Sequence, residues 1–208
     1  MLLLIKYTLL YGIVLMLVAL GGMFSEHSGI INIALEGIMV VGGLAGVLVT
    51  ASLPTTMAPA LIVLAAVVAA AVCGMLYSLL LAFASINLKA DQTIGGTALN
   101  LMAPALVLFF IRIIANQNTL NMASGDSASW FMIKKSTLGI DKSVNLGFFG
   151  ETFINKVYLA TYVCILVFII LSILLYKTRF GLRLRACGEN PQAADSLGIN
   201  VYKMRYAG

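Results

Sequence analysis

The sequence predicts an all-α, polytopic membrane protein of about five transmembrane helices, with a re-entrant or interfacial helix and a cytoplasmic helix beside them. Three observations predict it. Hydrophobic residues make up 61% of the chain and charged residues 10%, with mean hydropathy +1.02; a soluble domain carries about 25% charged residues. Residues 7–25, 37–88, 92–111 and 157–176 contain no Asp, Glu, Lys or Arg, and about 20 residues at roughly 1.5 Å each cross a hydrocarbon layer of roughly 30 Å. The apolar runs are continuous rather than alternating, which favours helices over the strands of a barrel.

The first span is residues 7–25, where Gly21 and Gly22 permit close approach of another backbone. Lys6 alone precedes it as a basic residue, so it is read as a retained span and not as a secretory signal. Residues 26–37, Glu26 to Gly37, are too polar for lipid and too apolar for a water-borne loop. A short, partly embedded or re-entrant helix is expected there, with Asn32 and Glu36 on one face toward protein or a water-filled cavity. A carboxylate at the centre of a membrane helix costs about 2.5–3.5 kcal/mol, so Glu36 is either an interfacial cap or part of a polar pathway. His27 is read as an interfacial residue.

The long run 37–88 must hold two spans, and Ser52-Leu53-Pro54-Thr55-Thr56 is its polar, proline-containing break. The second span, 38–53, has Gly42 and Gly46 at a spacing that allows tight helix contact. The third, 57–83, is almost wholly Ala, Val and Leu, and residues 85–91 connect it to the fourth. The fourth opens at Gln92, and Thr93, Thr97 and Asn100 fall on one stripe, with Gln92 and Gly96 beside it. Such a polar stripe serves either interhelical hydrogen bonds or a cavity.

Residues 112–156 leave the membrane, and the fifth span is 157–176. The tail from Lys177 to Gly208 carries Lys177, Arg179, Arg183, Arg185, Lys203 and Arg205 against Glu189 and Asp195, most of the net charge of +5. Juxtamembrane basic residues of this kind stay on the cytoplasmic side. Alternation then makes 112–156 an extracytoplasmic loop, and puts the start of the chain outside unless residues 26–36 add a crossing. Within the tail, Asn190 reads as an N-cap, Pro191 as the first helical residue and Gly198 as a stop signal. A two-turn helix over Pro191 to Leu197 follows.

Catalytic signatures are missing from the sequence. It contains no P-loop motif, no G-x-S-x-G and no His/Cys/carboxylate cluster at metal spacing, and its single His leaves little room for general-base chemistry. No enzyme, metal or cofactor is expected. Cys73, Cys164 and Cys187 read as small buried hydrophobes. The basic excess sits beside a membrane span, where orientation explains it, so no nucleic-acid partner is implied.

Two stretches carry a family likeness. Ser28 to Met39 (SGIINIALEGIM) and Phe180 to Gly208 resemble the permease subunits of ABC importers of the branched-chain amino acid, ribose and nucleoside type. The family's cytoplasmic coupling loop, G-x-x-x-R-A-x-G-E-N-P-x-A-A-x-x-x-G-I, is matched by Gly181, Arg185, Ala186, Gly188, Glu189, Asn190, Pro191, Ala193, Ala194, Gly198 and Ile199. Asn32 to Gly37 is similar to the N-I-G-L-E-G phrase of nucleoside and simple-sugar permeases, with Ala34 in place of Gly. Asp91 to Asn100 is similar to N-Q-x-x-x-G-T-x-x-N, from which Asp91 departs.

The resemblance implies a single permease domain over 1–208 in a bacterial inner or plasma membrane. It implies a separate ABC ATPase subunit, a second permease subunit forming a homo- or heterodimer, and an extracytoplasmic solute-binding protein. Gly188, Glu189, Asn190, Pro191, Ala193, Ala194, Leu197 and Gly198 would couple to the ATPase within a cytoplasmic loop, 177–208. Asn32, Glu36, Thr93, Thr97 and Asn100 are the pathway candidates. Nucleosides or simple sugars are the expected solutes, with riboflavin or branched-chain amino acids as alternatives. A different class, a proton-coupled secondary transporter relaying through Glu36 and His27, is the rival reading. Family members continue with further spans after the coupling loop, so the sequence is expected to be incomplete at its C-terminus.

Overall fold

A computed structural model describes residues 2–53, 58–115, 132–133 and 157–208. Its elements are α1 (Leu2–His27), α2 (Leu35–Ser52), α3 (Pro59–Ile86), α4 (Gln92–Ala115), β1 (Met132–Ile133), β2 (Val157–Tyr158), α5 (Leu159–Lys177), α6 (Arg179–Glu189), α7 (Pro191–Ser196) and α8 (Val201–Ala207). Helices α1 to α5 are long and apolar enough to cross a membrane. Large hydrophobic side chains are exposed along α3, α4 and α5, among them Val67, Leu101 and Ile169. Water would not tolerate that much apolar surface on a single protein, whereas lipid does. The polytopic helical membrane fold expected from the sequence is what the chain adopts.

The chain divides into two compact units. One comprises residues 1–20 and 124–174. It contains most of α1 and α5, and the antiparallel pair of β1 and β2, in which Met132 lies opposite Tyr158 and Ile133 opposite Val157. The expected extracytoplasmic loop, 112–156, lies almost entirely outside the described residues, apart from β1 and from Arg112 to Ala115, which continue α4.

The other unit comprises residues 21–123 and 175–208. Helices α2 and α3 form an antiparallel pair in which small residues set the spacing. A Cβ on Gly42 would lie 3.0 Å from the carbonyl oxygen of Ala70, and one on Gly46 3.6 Å from the Ala70 Cβ. The G-x-x-x-G spacing is thus a packing device between α2 and α3. Helix α4 runs antiparallel to α3, with the Tyr77 hydroxyl donating to the Leu99 carbonyl at 2.6 Å. Helix α3 runs to Ile86, past the expected Phe83, and Ser85 within this last turn bonds back to the Leu81 carbonyl.

Contacts at one end of this unit bring several termini together. The His27 ring meets the Tyr176 ring edge-on at 6.2 Å, Ile31 is bonded to Gln92, and the Tyr206 hydroxyl bonds Asn87. The C-terminal ends of α1, α3 and α5 and the N-terminal ends of α2 and α4 therefore share one end with the basic tail. Helices α2, α3 and α4 alternate in direction.

Residues 28–34 are not the short helix expected. Helix α1 continues to His27, whose Nδ1 lies 2.7 Å from the Met23 carbonyl, and Gly29 at φ 89° then turns the chain out of the helix. The next helix begins only at Leu35, so Asn32 and Glu36 do not share a helical face. The link is an irregular connection whose backbone is bonded by side chains from α1 and α4.

Candidate functional site

The link at residues 28–34 is bonded from both sides. Ser25 Oγ donates to the Ile30 carbonyl at 2.9 Å, and Ser28 Oγ to the Ser25 carbonyl at 2.7 Å. Both serines are buried. From α4, Gln92 Oε1 accepts from the Ile31 amide at 2.7 Å. Further along α4, Asn100 makes two bonds: its Oδ1 accepts from the Gly37 amide at 2.7 Å, and its Nδ2 donates to the Ile33 carbonyl at 2.8 Å.

Gly37 lies in the first turn of α2, and its amide is one of the donors a helix start leaves open. Ala34, at the cap position, has no side-chain oxygen to offer. Asn100 is therefore a remote N-cap for α2, supplied by another helix. Close approach makes this possible, because a Cβ on Gly37 would stand 3.0 Å from Asn100 Oδ1 and one on Gly96 3.0 Å from the Ile33 Cβ. Pro104 in α4 also lacks the amide that would bond the Asn100 carbonyl, so the helix is loosened at the same level.

The five pathway candidates divide. Asn100 and Asn32 are half-buried and bonded to backbone, Asn32 through its own Oδ1 to the Ala34 amide at 3.0 Å. Glu36, Thr93 and Thr97 are exposed. Glu36 occupies the first turn of α2, where a carboxylate complements the helix dipole. Thr97 Oγ1 bonds back to the Thr93 carbonyl at 2.7 Å. The inward stripe of α4 is Gln92, Gly96, Asn100 and Ala103, one residue round from the stripe drawn on Thr93, Thr97 and Asn100.

The tail is built from three successive caps, each with a side-chain oxygen accepting the amide three residues on. Thr178 accepts from Gly181 at 3.3 Å, Asn190 from Ala193 at 3.0 Å and Asn200 from Lys203 at 3.0 Å. Pro191 occupies the first turn of α7, and Gly198 at φ 79° ends it, with the Ile199 amide bonded to the Ala194 carbonyl at 3.1 Å. Asn190 and Gly198 are legible in the sequence as cap and stop, and Thr178 and Asn200 are additional.

Helix α6 buries Gly181, Leu184 and Cys187 on one face and exposes Arg179, Leu182 and Arg183. Arg185 lies over the Tyr176 ring at 5.5 Å, a cation–π contact. Burial pushes the Cys187 thiol above its ordinary range, and the Arg205 guanidinium pulls it partly back. A Cβ on Gly188 would collide with the His27 carbonyl oxygen and stand 3.2 Å from the Gly29 amide nitrogen. The tail and the link thus touch backbone to backbone.

The coupling candidates face different ways. Leu197 is 79% exposed, and Ala193, Glu189 and Gly198 are exposed as well. Ala194, expected on the outer face, is 2% exposed and turned into its own chain. The apolar surface α7 offers outward is Ala193 with Leu197, one turn apart. Among the described residues no group of His, Cys, Asp and Glu could hold a metal ion.

Five helices of membrane length, an irregular link bonded to α4 and a run of short capped helices mark the chain as part of a polytopic membrane protein. The chain belongs to the branched-chain amino acid transport system / permease component family, whose description it matches over residues 4–208. It is 41% identical over 203 residues to the nucleoside ABC transporter permease protein NupC of Lactococcus lactis subsp. cremoris (strain MG1363), covering 96% of this chain and 60% of that protein. It is 40% identical over 204 residues to the guanosine ABC transporter permease protein NupQ of Bacillus subtilis (strain 168), covering 97% of this chain and 60% of that protein. A putative glucose ABC transporter permease protein, TsgC13 of Haloferax volcanii, is 32% identical over 193 residues, 93% of this chain and 54% of its own length. The chain spans less than two thirds of the length of these relatives. No solved structure matches it.

Proposed function

We propose that this chain is the membrane-spanning permease part of an ATP-driven ABC importer for nucleosides, working in a bacterial inner membrane. A second permease completes the pathway, a separate ATPase subunit docks on the tail, and a solute-binding protein delivers the nucleoside from outside. The observation that carries the reading is α7. It is a capped helix followed by the exposed Leu197, and α6, which runs into it at Asn190, meets the link at Gly188. Similarity to two nucleoside permeases over nearly the whole chain supports the choice of solute.

In this mechanism the ATPase grips Ala193 and Leu197. Asn190 ends α6 and caps α7, so the two move as one piece. Gly188 passes the displacement to the turn at His27–Gly29, and the link carries it to Asn100 and the start of α2. Thr93, Thr97 and Glu36, exposed in this chain, line the pathway with the second permease, while Asn32 and Asn100 shape it.

Leu197→Arg tests the docking. The side chain is exposed, so membrane insertion should be unchanged, while ATPase co-purification and uptake should fall roughly tenfold or more, as for an apolar anchor at an interface centre. A variant that keeps its ATPase and transports normally would remove α7 from the docking surface.

A further inference from the structure

A cavity of about 380 Å³ opens between the end of α3 and the α7–α8 region, with Ser85, Ile86, Lys89, Asp195, Tyr202 and Arg205 in its lining. Two cations border it. Lys89 is exposed, and no ion pair involving it occurs among the described residues. Arg205 has its Nε buried, with no hydrogen-bond partner among the described residues. Arg185 Nε is buried in the same way, and Arg205 Nε lies 3.8 Å from where a Cβ on Gly29 would stand, so what Arg205 offers the cavity is its charge and the planar fork that fits phosphate oxygens. Ser85 and Ile86 are the last residues of a membrane-length helix, so the cavity lies at the depth where the chain leaves hydrocarbon for headgroups. Asp195 is also in the lining; it disfavours a bare anion beside it and favours a hydroxyl or ammonium donor.

We propose that this cavity binds a phosphate group through Lys89 and Arg205, and that the phosphate belongs to a lipid headgroup carrying a hydrogen-bond donor for Asp195. The cationic pair neutralises the phosphate, which takes its bonds from Lys89 and the outer edge of the Arg205 guanidinium. Because Arg205 also approaches Gly29, with Nη2 3.5 Å from where a Cβ there would stand, a bound headgroup would brace α8 against the link. The proposal does not depend on which solute is carried.

The test is thermal unfolding of the protein purified in detergent, titrated with dihexanoyl-phosphatidylglycerol, with inorganic phosphate, and with sodium chloride at matched ionic strength. A saturable rise in Tm with the lipid is expected. Its apparent affinity should weaken roughly tenfold or more in Lys89→Gln, which removes an exposed charge without disturbing packing, and in Arg205→Gln. A rise of equal affinity with inorganic phosphate, lost in the same variants, would keep the site and make free phosphate its source. No rise with either, a rise reproduced by chloride, or a lipid response unchanged in Lys89→Gln would overturn the proposal.

Discussion

Asn100 satisfies two backbone groups far away in sequence, the Gly37 amide and the Ile33 carbonyl, and its deletion should be felt at both. Asn100→Ala leaves them without partners, for a predicted loss of about 1–2 kcal/mol, in the range of the stronger hydrogen bonds measured in membrane bundles. Asn100→Asp keeps the acceptor for Gly37 and loses the donor to Ile33, so it should fall between wild type and Asn100→Ala in thermal unfolding. Equal stability of all three would contradict the remote cap. Cys187 gives a second prediction. Its thiol is raised by burial above the ordinary value of 9.0, so the folded chain keeps the proton that the unfolded chain releases. The resulting stability is complete below the unfolded value and is lost as pH rises from there through the folded value. Unfolding curves for wild type and Cys187→Ala should therefore diverge on the alkaline side and run parallel below it. At this scale the sequence is partly readable. Asn100 stands out as a polar residue on a membrane helix, but its partners are backbone atoms, and no residue pattern announces those.

The three small tail helices depend on local chemistry, which is why the sequence displays them openly. A side-chain oxygen three residues ahead of its amide partner is a short-range signal, and Asn190 with Pro191 and Gly198 shows it. Thr178 is obscured because it sits among basic residues at the end of a span, and Asn200 because only a few residues follow it. The Gly188 contact is not legible as a contact, since it joins the tail to a turn at the far end of α1. Gly188→Ala should therefore cost about 1–3 kcal/mol through overpacking, measured by thermal unfolding, and should impair transport while α7 stays capped. A Gly188→Ala protein with wild-type stability would mean the tail and the link are not in close register. The link itself reads as a short helix because the stretch is too polar for lipid and too apolar for water, and Asn32 and Glu36 stand four residues apart. Gly29 at positive φ and two partners from α4, Gln92 and Asn100, make the irregular path the better satisfied one.

Composition decides the molecule at large. Charge-free runs, one of them long enough for two spans, correspond to five membrane-length helices, most of them within a few residues of their expected limits. The exposed faces of α3, α4 and α5 suit lipid and a second subunit alike, because both are apolar neighbours, so hydropathy does not separate the two. The direct test of the whole account is uptake of labelled guanosine into proteoliposomes holding the assembled transporter and its solute-binding protein. Uptake should require ATP supplied on the side of the tail and should be indifferent to collapse of a proton gradient. Uptake that persists without ATP and follows the proton gradient would contradict the account.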